Sequence, residues 1–349
     1  MAAVTLVQEL ALEQPKIRKG VIKTWVELSA FSRKVPTQTT GALQVPITYQ
    51  SGVPTAQLRF INEAVSTQTS DFSQRVVSLS IFESDIDVDP VLLANKNVIQ
   101  RLDVVNVENK VKAMAYDFAN YAINGDPVAG NQREPLGLKR ALDKEPLFSG
   151  QTVNMTASAT EHELRVGTAT DAQYRMLLHK FNELMTRVGN DNKPDCFLVN
   201  TQQILVIWAA LQQLKLFKTT EDQYDREIMV YRGVPFVDMG FNSAGALDAT
   251  YAAAGQAGNQ VIGNDSEAVA TDNGGNAYTN QTPIYALKFG DNFCVALQQE
   301  AMQVKPFGET EVSPHYFRTN VRWVVLPAAL FQKRAAARLV GGAYSVAPA

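Results

Sequence analysis

Apolar residues recur at helical spacing over residues 104–121. Val104, Val107, Val111, Met114, Phe118 and Tyr121 follow one another at intervals of three and four residues, which places them on one face of a single long helix. Pro90 opens this region, no proline falls between Val91 and Asn124, and Gly125 is expected to end the helix by taking the left-handed conformation. Upstream, the period changes to two. Val77, Leu79 and Ile81 alternate with Ser78, Ser80 and Phe82, the signature of a strand with one buried face. Residues 42–49 form another extended run, with Pro46 pointing to an edge or irregular position. The polar stretch 63–74 lies between these runs, so residues 41–82 read as a long two-stranded excursion, marginal by itself in water.

Residues 1–40 form a leading arm with sparse apolar positions, interrupted by Pro15 and Pro36, and no compact core is evident in it. A short amphipathic segment is expected around 21–31. Residues 125–170 are loop-rich and show no clear element. A second helix covers 171–188, with Tyr174, Leu177, Leu178, Phe181, Leu184 and Val188 on one face and Gly189 at its end. Strand 197–199 follows, then a helix capped by Asn200 or Thr201 that carries Ile204, Leu205, Ile207, Trp208 and Leu211. Short strands at 228–230 and 235–237 flank Gly233. Of the 42 residues 241–282, 22 are Ala, Gly or Asn and none is Lys or Arg, so this stretch reads as an exposed, flexible insertion. Strands return at 283–289, 293–301 and 302–305. A proline-bracketed acidic turn connects to a strand over 316–326, which Pro327 interrupts. A basic, alanine-rich tail with Lys333, Arg334 and Arg338 follows.

Length and composition narrow the classes. At 349 residues, 46% hydrophobic and 19% charged, the chain suits a folded protein with about two domain-sized cores. The 32 basic and 35 acidic residues give a net charge of −3, which excludes a protein that grips nucleic acid by neutralising phosphates. A container around nucleic acid is not excluded. Cys196 and Cys294 sit in apolar runs and read as buried free thiols. No signal peptide and no membrane-spanning run is read.

Candidate chemistry is sparse. His162, His179 and His315 lie far apart, without Cys or carboxylate at ligand spacing, so no metal site is expected. Neither a nucleophile elbow nor a phosphate-binding glycine loop nor a zinc-protease motif occurs. No catalytic residue, cofactor or metal is therefore assigned. Asp85, Asp87 and Asp89 alternate along a strand, and a solvated sheet edge that repels strand addition explains them most simply. Residues 221–227 read as a solvated acidic loop.

The order of elements resembles the major capsid proteins of tailed phages, of the Hong Kong 97 type, from about residue 20 to 345. The features that carry the likeness are the strand-to-loop run at 75–90, Asn124, Gly125 and Asp126 followed by Pro135, Leu136, Gly137 and Leu138, and the run Tyr-Arg-Gly-Val-Pro-Phe-Val at 231–237. The resemblance implies an α+β capsid fold: an N-terminal arm at 1–40, an extended loop hairpin at 41–82, a peripheral domain with a long spine helix at 83–124 and 297–326, and an inserted axial α/β domain at 125–296 and 327–349. It implies a structural, non-enzymatic subunit that assembles with itself into hexamers and pentamers of an icosahedral shell enclosing double-stranded DNA without sequence-specific contacts. It also implies a virion protein made and assembled in the host cytoplasm, with a separate scaffolding protein, a portal, a possible decoration protein and no membrane partner. Subunit contacts would involve Arg59, Glu63, Phe72 and Arg75 on the extended loop, Glu221, Asp222 and Asp225 at the axial tip, and Phe307, Glu309 and Glu311 near local three-fold contacts. Some members weld their shells through an extended-loop lysine. Residues 35–95 here contain no lysine, so a non-covalent shell is expected. Two other readings stand beside this one: an encapsulin-like compartment with protein cargo, and a soluble α/β enzyme.

Overall fold

A computed structural model describes residues 4–5, 25, 28–52, 54–67, 69–89, 102–129, 131–155, 163–165, 169–189, 191, 193–216, 218–221, 227–242, 260–263, 282–309 and 316–345. The described strands are β1 (Val4–Thr5), β2 (Pro36–Thr39), β3 (Gln44–Gly52), β4 (Asp71–Ser78), β5 (Ser80–Val88), β6 (Thr152–Asn154), β7 (Glu163–Arg165), β8 (Cys196–Val199), β9 (Thr219–Glu221), β10 (Glu227–Tyr231), β11 (Val234–Asp238), β12 (Ile284–Leu287), β13 (Cys294–Gln298), β14 (Gln303–Glu309), β15 (Phe317–Leu330), β16 (Ala336–Val340) and β17 (Ala343–Ser345). The α-helices are α1 (Ala30–Lys34), α2 (Leu102–Asn124), α3 (Leu138–Lys144), α4 (Asp171–Thr186) and α5 (Thr201–Gln213). None of the described helices is long and apolar enough to cross a membrane.

Two sheets organise the chain. In the six-stranded sheet, β1-β2-β13-β15-β14 form one path and β5 pairs with β15 from the side. The seven-stranded sheet runs β6-β16-β12-β8-β11-β10-β9. The long helix α2 lies on β5 and β15, burying Val111, Met114 and Phe118 as the three-four spacing predicts, with Tyr121 partly covered. The expected positions at Val104 and Val107, and the helical region 90–101, lie outside the described residues or side chains. Phe118 stands at the centre of an aromatic cluster. Its ring is 5.2 Å from Trp323 in a stacked pair, 5.6 Å from Trp25 edge-on, and 6.2 Å from both Phe31 and Phe82.

That cluster shows what the end of the leading arm, which has no core of its own, packs against. Trp25, Phe31 and Val35 are buried in the body's main core, and β2 joins the six-stranded sheet in parallel with β13. The segment looked coreless because its partners, Phe118 and Trp323, lie far along the chain.

Helices α4 and α5 begin where their caps require. Thr170 and Asn200 each accept from the backbone N–H three residues on, and Gln173 and Gln203 complete capping boxes. Together these helices cover one face of the seven-stranded sheet, where Phe181, Phe197 and Phe236 pack in mutual contact. Both cysteine thiols are buried, Cys196 in β8 and Cys294 in β13. Burial pushes both thiols up, Cys294 to about 12, so neither is a reactive thiolate.

Four further expectations change. Residues 125–170 contain α3, a 3₁₀ turn at Pro146–Phe148, β6 and β7. Within 241–282, Val261 and Ile262 are core residues, tied by Asn124 Nδ2 donating to the Val261 carbonyl at 2.7 Å and Asn200 Nδ2 to that of Ile262 at 3.1 Å. That part of the stretch is therefore not an exposed insertion. Pro327 does not end its strand; β15 runs to Leu330, and the proline falls where the pairing of β13 with β15 slips between Val295 and Leu297. A proline is tolerated at such an irregularity because no ladder hydrogen bond is lost there. The basic tail is structural as well: β16 lies inside the seven-stranded sheet, and the buried Arg338 pairs with Asp143 at 2.7 Å. Burial alone would raise the Asp143 carboxyl, but Lys144 and Arg338 outweigh it and hold it below its ordinary value.

The pairing of Gly125 with Gly137 has a steric cause. Gly125 does not take a left-handed conformation, contrary to the C-cap expectation. The Gly137 N–H donates to the Gly125 carbonyl at 2.8 Å, and the two backbones touch. A methyl on Gly137 would lie 2.6 Å from both Gly125 N and the Ile123 carbonyl, backbone atoms that cannot turn aside. Gly137→Ala is expected to destabilise the fold by about 3 kcal/mol through this overlap. Gly41→Ala, strained only by its φ of 68° with open space around it, should cost about 1 kcal/mol. Chemical denaturation of the two variants checks the difference.

Candidate assembly surfaces

Strands β3 and β4 pair antiparallel from Gln44↔Ser78 to Gly52↔Asp71 and make a two-stranded sheet of their own. The inner face of this sheet buries Ile47 and Val77 and partly covers Val45 and Tyr49, yet its outer face also carries apolar residues. Along β4 the apolar Phe72 and Val76 are 67% and 58% exposed, while Ser73 and Arg75 face inward. At Leu79, the single residue between β4 and β5, the parity changes. Val77 and Leu79 are buried as expected, but Ile81 is exposed, because Leu79 is the irregular residue and Phe82, Ile86 and Val88 take the inward positions beyond it.

The end of the hairpin is apolar and open to solvent. Leu58, Phe60 and Ile61 are at least 86% exposed, and Val65 stands beside them half exposed. A short polar clamp holds this tip. Glu63 Oε2 accepts from the Phe60 N–H at 2.9 Å, Arg59 donates to the Glu63 carbonyl at 3.3 Å, and Gln57 Nε2 donates to Ser66 Oγ at 2.6 Å. Asn62 takes the left-handed conformation between them, as asparagine does more readily than other side chains. Arg59 and Glu63, expected as subunit contacts, thus also hold the turn that presents Phe60 and Ile61, and Phe72 faces solvent. Arg75 is turned back against its own body.

The other candidates are scattered over the molecule. Phe307, in β14 at the register shift opposite β15, is 65% exposed. The backbone of Glu309 pairs with Phe317 at the end of that hairpin; its side chain, and the whole of Glu311, lie outside the described residues. The backbone of Glu221 pairs with Glu227 across β9 and β10; its side chain, Asp222 and Asp225 lie outside the described residues. Sequence reasoning missed Leu58, Phe60 and Ile61, although three large apolar residues in a polar stretch were a usable signal.

The acidic residues of β5 are not merely solvated. Asp87 takes two hydrogen bonds from Arg318, each 2.7 Å, and Asn320 donates to both Glu83 and Asp85 at 2.7 Å. The Arg318 bonds hold the Asp87 carboxyl below its ordinary value. β5 pairs only with β15 among the described strands, so these charges do line a sheet edge. Among the described residues no cluster of His, Cys, Asp or Glu could hold a metal ion.

Comparison with solved structures defines the fold. The chain is similar to the holo-SrpI encapsulin complex of Synechococcus elongatus, with a TM-score of 0.55 at 15% identity over 96% of this chain and 95% of that one. A capsid of a native GTA particle gives 0.55 at 13% identity over 92% and 90%, and Mycobacterium phage Bobi 0.52 at 11% over 92% and 91%. The protein has the Hong Kong 97-type capsid fold. No protein-family model matches the chain, and no curated protein sequence matches it.

Proposed function

We propose that this protein is the structural subunit of a closed icosahedral shell, built from hexamers and pentamers of the same chain and enclosing double-stranded DNA. The observation that carries the proposal is the hairpin 44–78, whose apolar tip its own body leaves uncovered on a fold used by capsid subunits. Large apolar side chains exposed together mark an interaction surface. In this reading residues 41–82 are the extended loop, 83–124 and 297–326 the peripheral domain, and 125–296 with 327–349 the axial domain. The tip lies across a neighbouring subunit, with Phe72, Phe307 and the acidic turn at 221–227 as further contacts. The net charge of −3 suits a container that holds DNA without gripping it. A separate scaffolding protein, a portal and a decoration protein are the partners this role invites. The shell is non-covalent, because no lysine lies within 35–95.

A second reading, an encapsulin-like compartment with a protein cargo, is favoured by the likeness to the Synechococcus elongatus encapsulin over nearly both full chains. Particles purified from expressing cells and treated with nuclease distinguish the two. Protected duplex DNA supports the phage-type shell; a co-purifying folded protein in place of DNA supports the compartment.

A further inference from the structure

The hairpin stands on two legs. One passes through Gly41 at φ 68°, and the other through Leu79, whose N–H donates to the Leu43 carbonyl at 2.9 Å. Beneath the root, Ile47, Val77 and Leu79 pack on Leu297, Leu326 and Ala329 in a small apolar cluster separate from the two main cores. Arg75 is tucked in beside this cluster with its side chain only 15% exposed. One of its nitrogens, Nη2, donates to the Leu330 carbonyl at 3.1 Å. Nη1 is 3.8 Å from Glu145 Oε2, too far for a hydrogen bond, and the guanidinium carbon sits 5.6 Å from the Phe148 ring centre. Nε and Nη1 are both buried without an acceptor. On the neighbouring side an open cleft of about 570 Å³, lined by Arg75, Val76, Ile81, Val128, Glu134 and Glu145, flanks the root.

A largely buried cation with two unmade donors carries a cost that a fully hydrogen-bonded ion pair avoids. The Phe148 face, the Leu330 carbonyl and the Glu145 carboxylate 3.8 Å away offset only part of it. Burial accordingly lowers the Arg75 pKa. When the root lifts, the guanidinium regains water, whereas Ile47 and Val77 lose their cover. The two effects oppose one another.

We propose that Arg75 is a release element: it opposes the docking of the hairpin root on the body, so that residues 44–78 are held by the apolar cluster yet remain able to lift. A shell subunit with such a root can adjust its arm to neighbours at different angles.

The test uses the full chain carrying Val77→Cys, at a position where the native valine is 4% exposed beneath the docked root, against two buried native cysteines. Labelling by a maleimide reports how often the root lifts. Adding Arg75→Met is expected to slow labelling about fivefold or more, the factor that corresponds to roughly 1 kcal/mol of relieved penalty. Arg75→Leu, a second apolar replacement, should act in the same direction. Labelling that is unchanged or faster in both variants would overturn the proposal. So would failure of both to fold, since a group that opposes docking is not needed for folding. The labelling result is independent of whether particles form, so it separates this inference from the shell reading.

Discussion

Replacing Phe60 and Ile61 together by serine is expected to leave the subunit folded with an unchanged denaturation midpoint, and to abolish particle formation. The side chains are 86% and 93% exposed, so the body gains nothing from them. Covered by a neighbour, each contributes about 1.5–3 kcal/mol of burial free energy. The pair therefore carries a large share of one contact, as buried anchors at interfaces do. The clamp formed by Glu63, Arg59 and Gln57 remains, so the variant still presents a turn of the same shape. Denaturation curves and sedimentation of the two proteins side by side check both halves of this expectation. Particles that form normally would remove the tip from the assembly surface.

The largest effect on stability is expected at Phe118. Truncation to alanine should cost about 4 kcal/mol, in the range found for buried phenylalanines. The reason for the upper part of that range is connectivity. Phe118 touches Trp25 from the leading segment, Phe82 from β5, Trp323 from β15 and Phe31 from α1. These residues come from three separate parts of the chain, around 25–31, 82 and 323, so none can collapse into the cavity without displacing the others. Trp323 is further fixed by its Nε1–H donating to Gln298 at 2.9 Å, and Trp25 by its own to Ser32 at 3.1 Å. Urea denaturation of Phe118→Ala, compared with an exposed control such as Val128→Ala, measures the difference.

The long helix, the two capped helices and the hairpin were legible in the sequence because each rests on local periodicity. Val111, Met114 and Phe118 face the core as their spacing demanded, and Asn200 caps α5. What local pattern could not show was set by distant partners. β16 is an interior strand of only five residues, Ala-Ala-Arg-Leu-Val, and its place follows from β12 on one side and β6 on the other. Trp25 and Phe31 read as an arm because the residues that bury them come from 118 onwards. Val261 and Ile262 are two apolar residues in a glycine- and asparagine-rich stretch, too few to give a period. The outward Val76 of β4 was missed for a different reason. It faces away from the body between the inward Arg75 and Val77, and a core-seeking reading turns an apolar residue inward. Arg75 as a contact and Arg75 turned inward look the same in a sequence; only the position of Leu330 and Phe148 distinguishes them.

The central claim is that this chain closes into shells. Negative-stain electron microscopy of the purified protein tests it most directly, under conditions that span salt concentration and the presence of a scaffolding protein. Closed particles, or rings of five and six subunits, are the expected result. A uniform population of monomers or dimers under every condition would contradict the account.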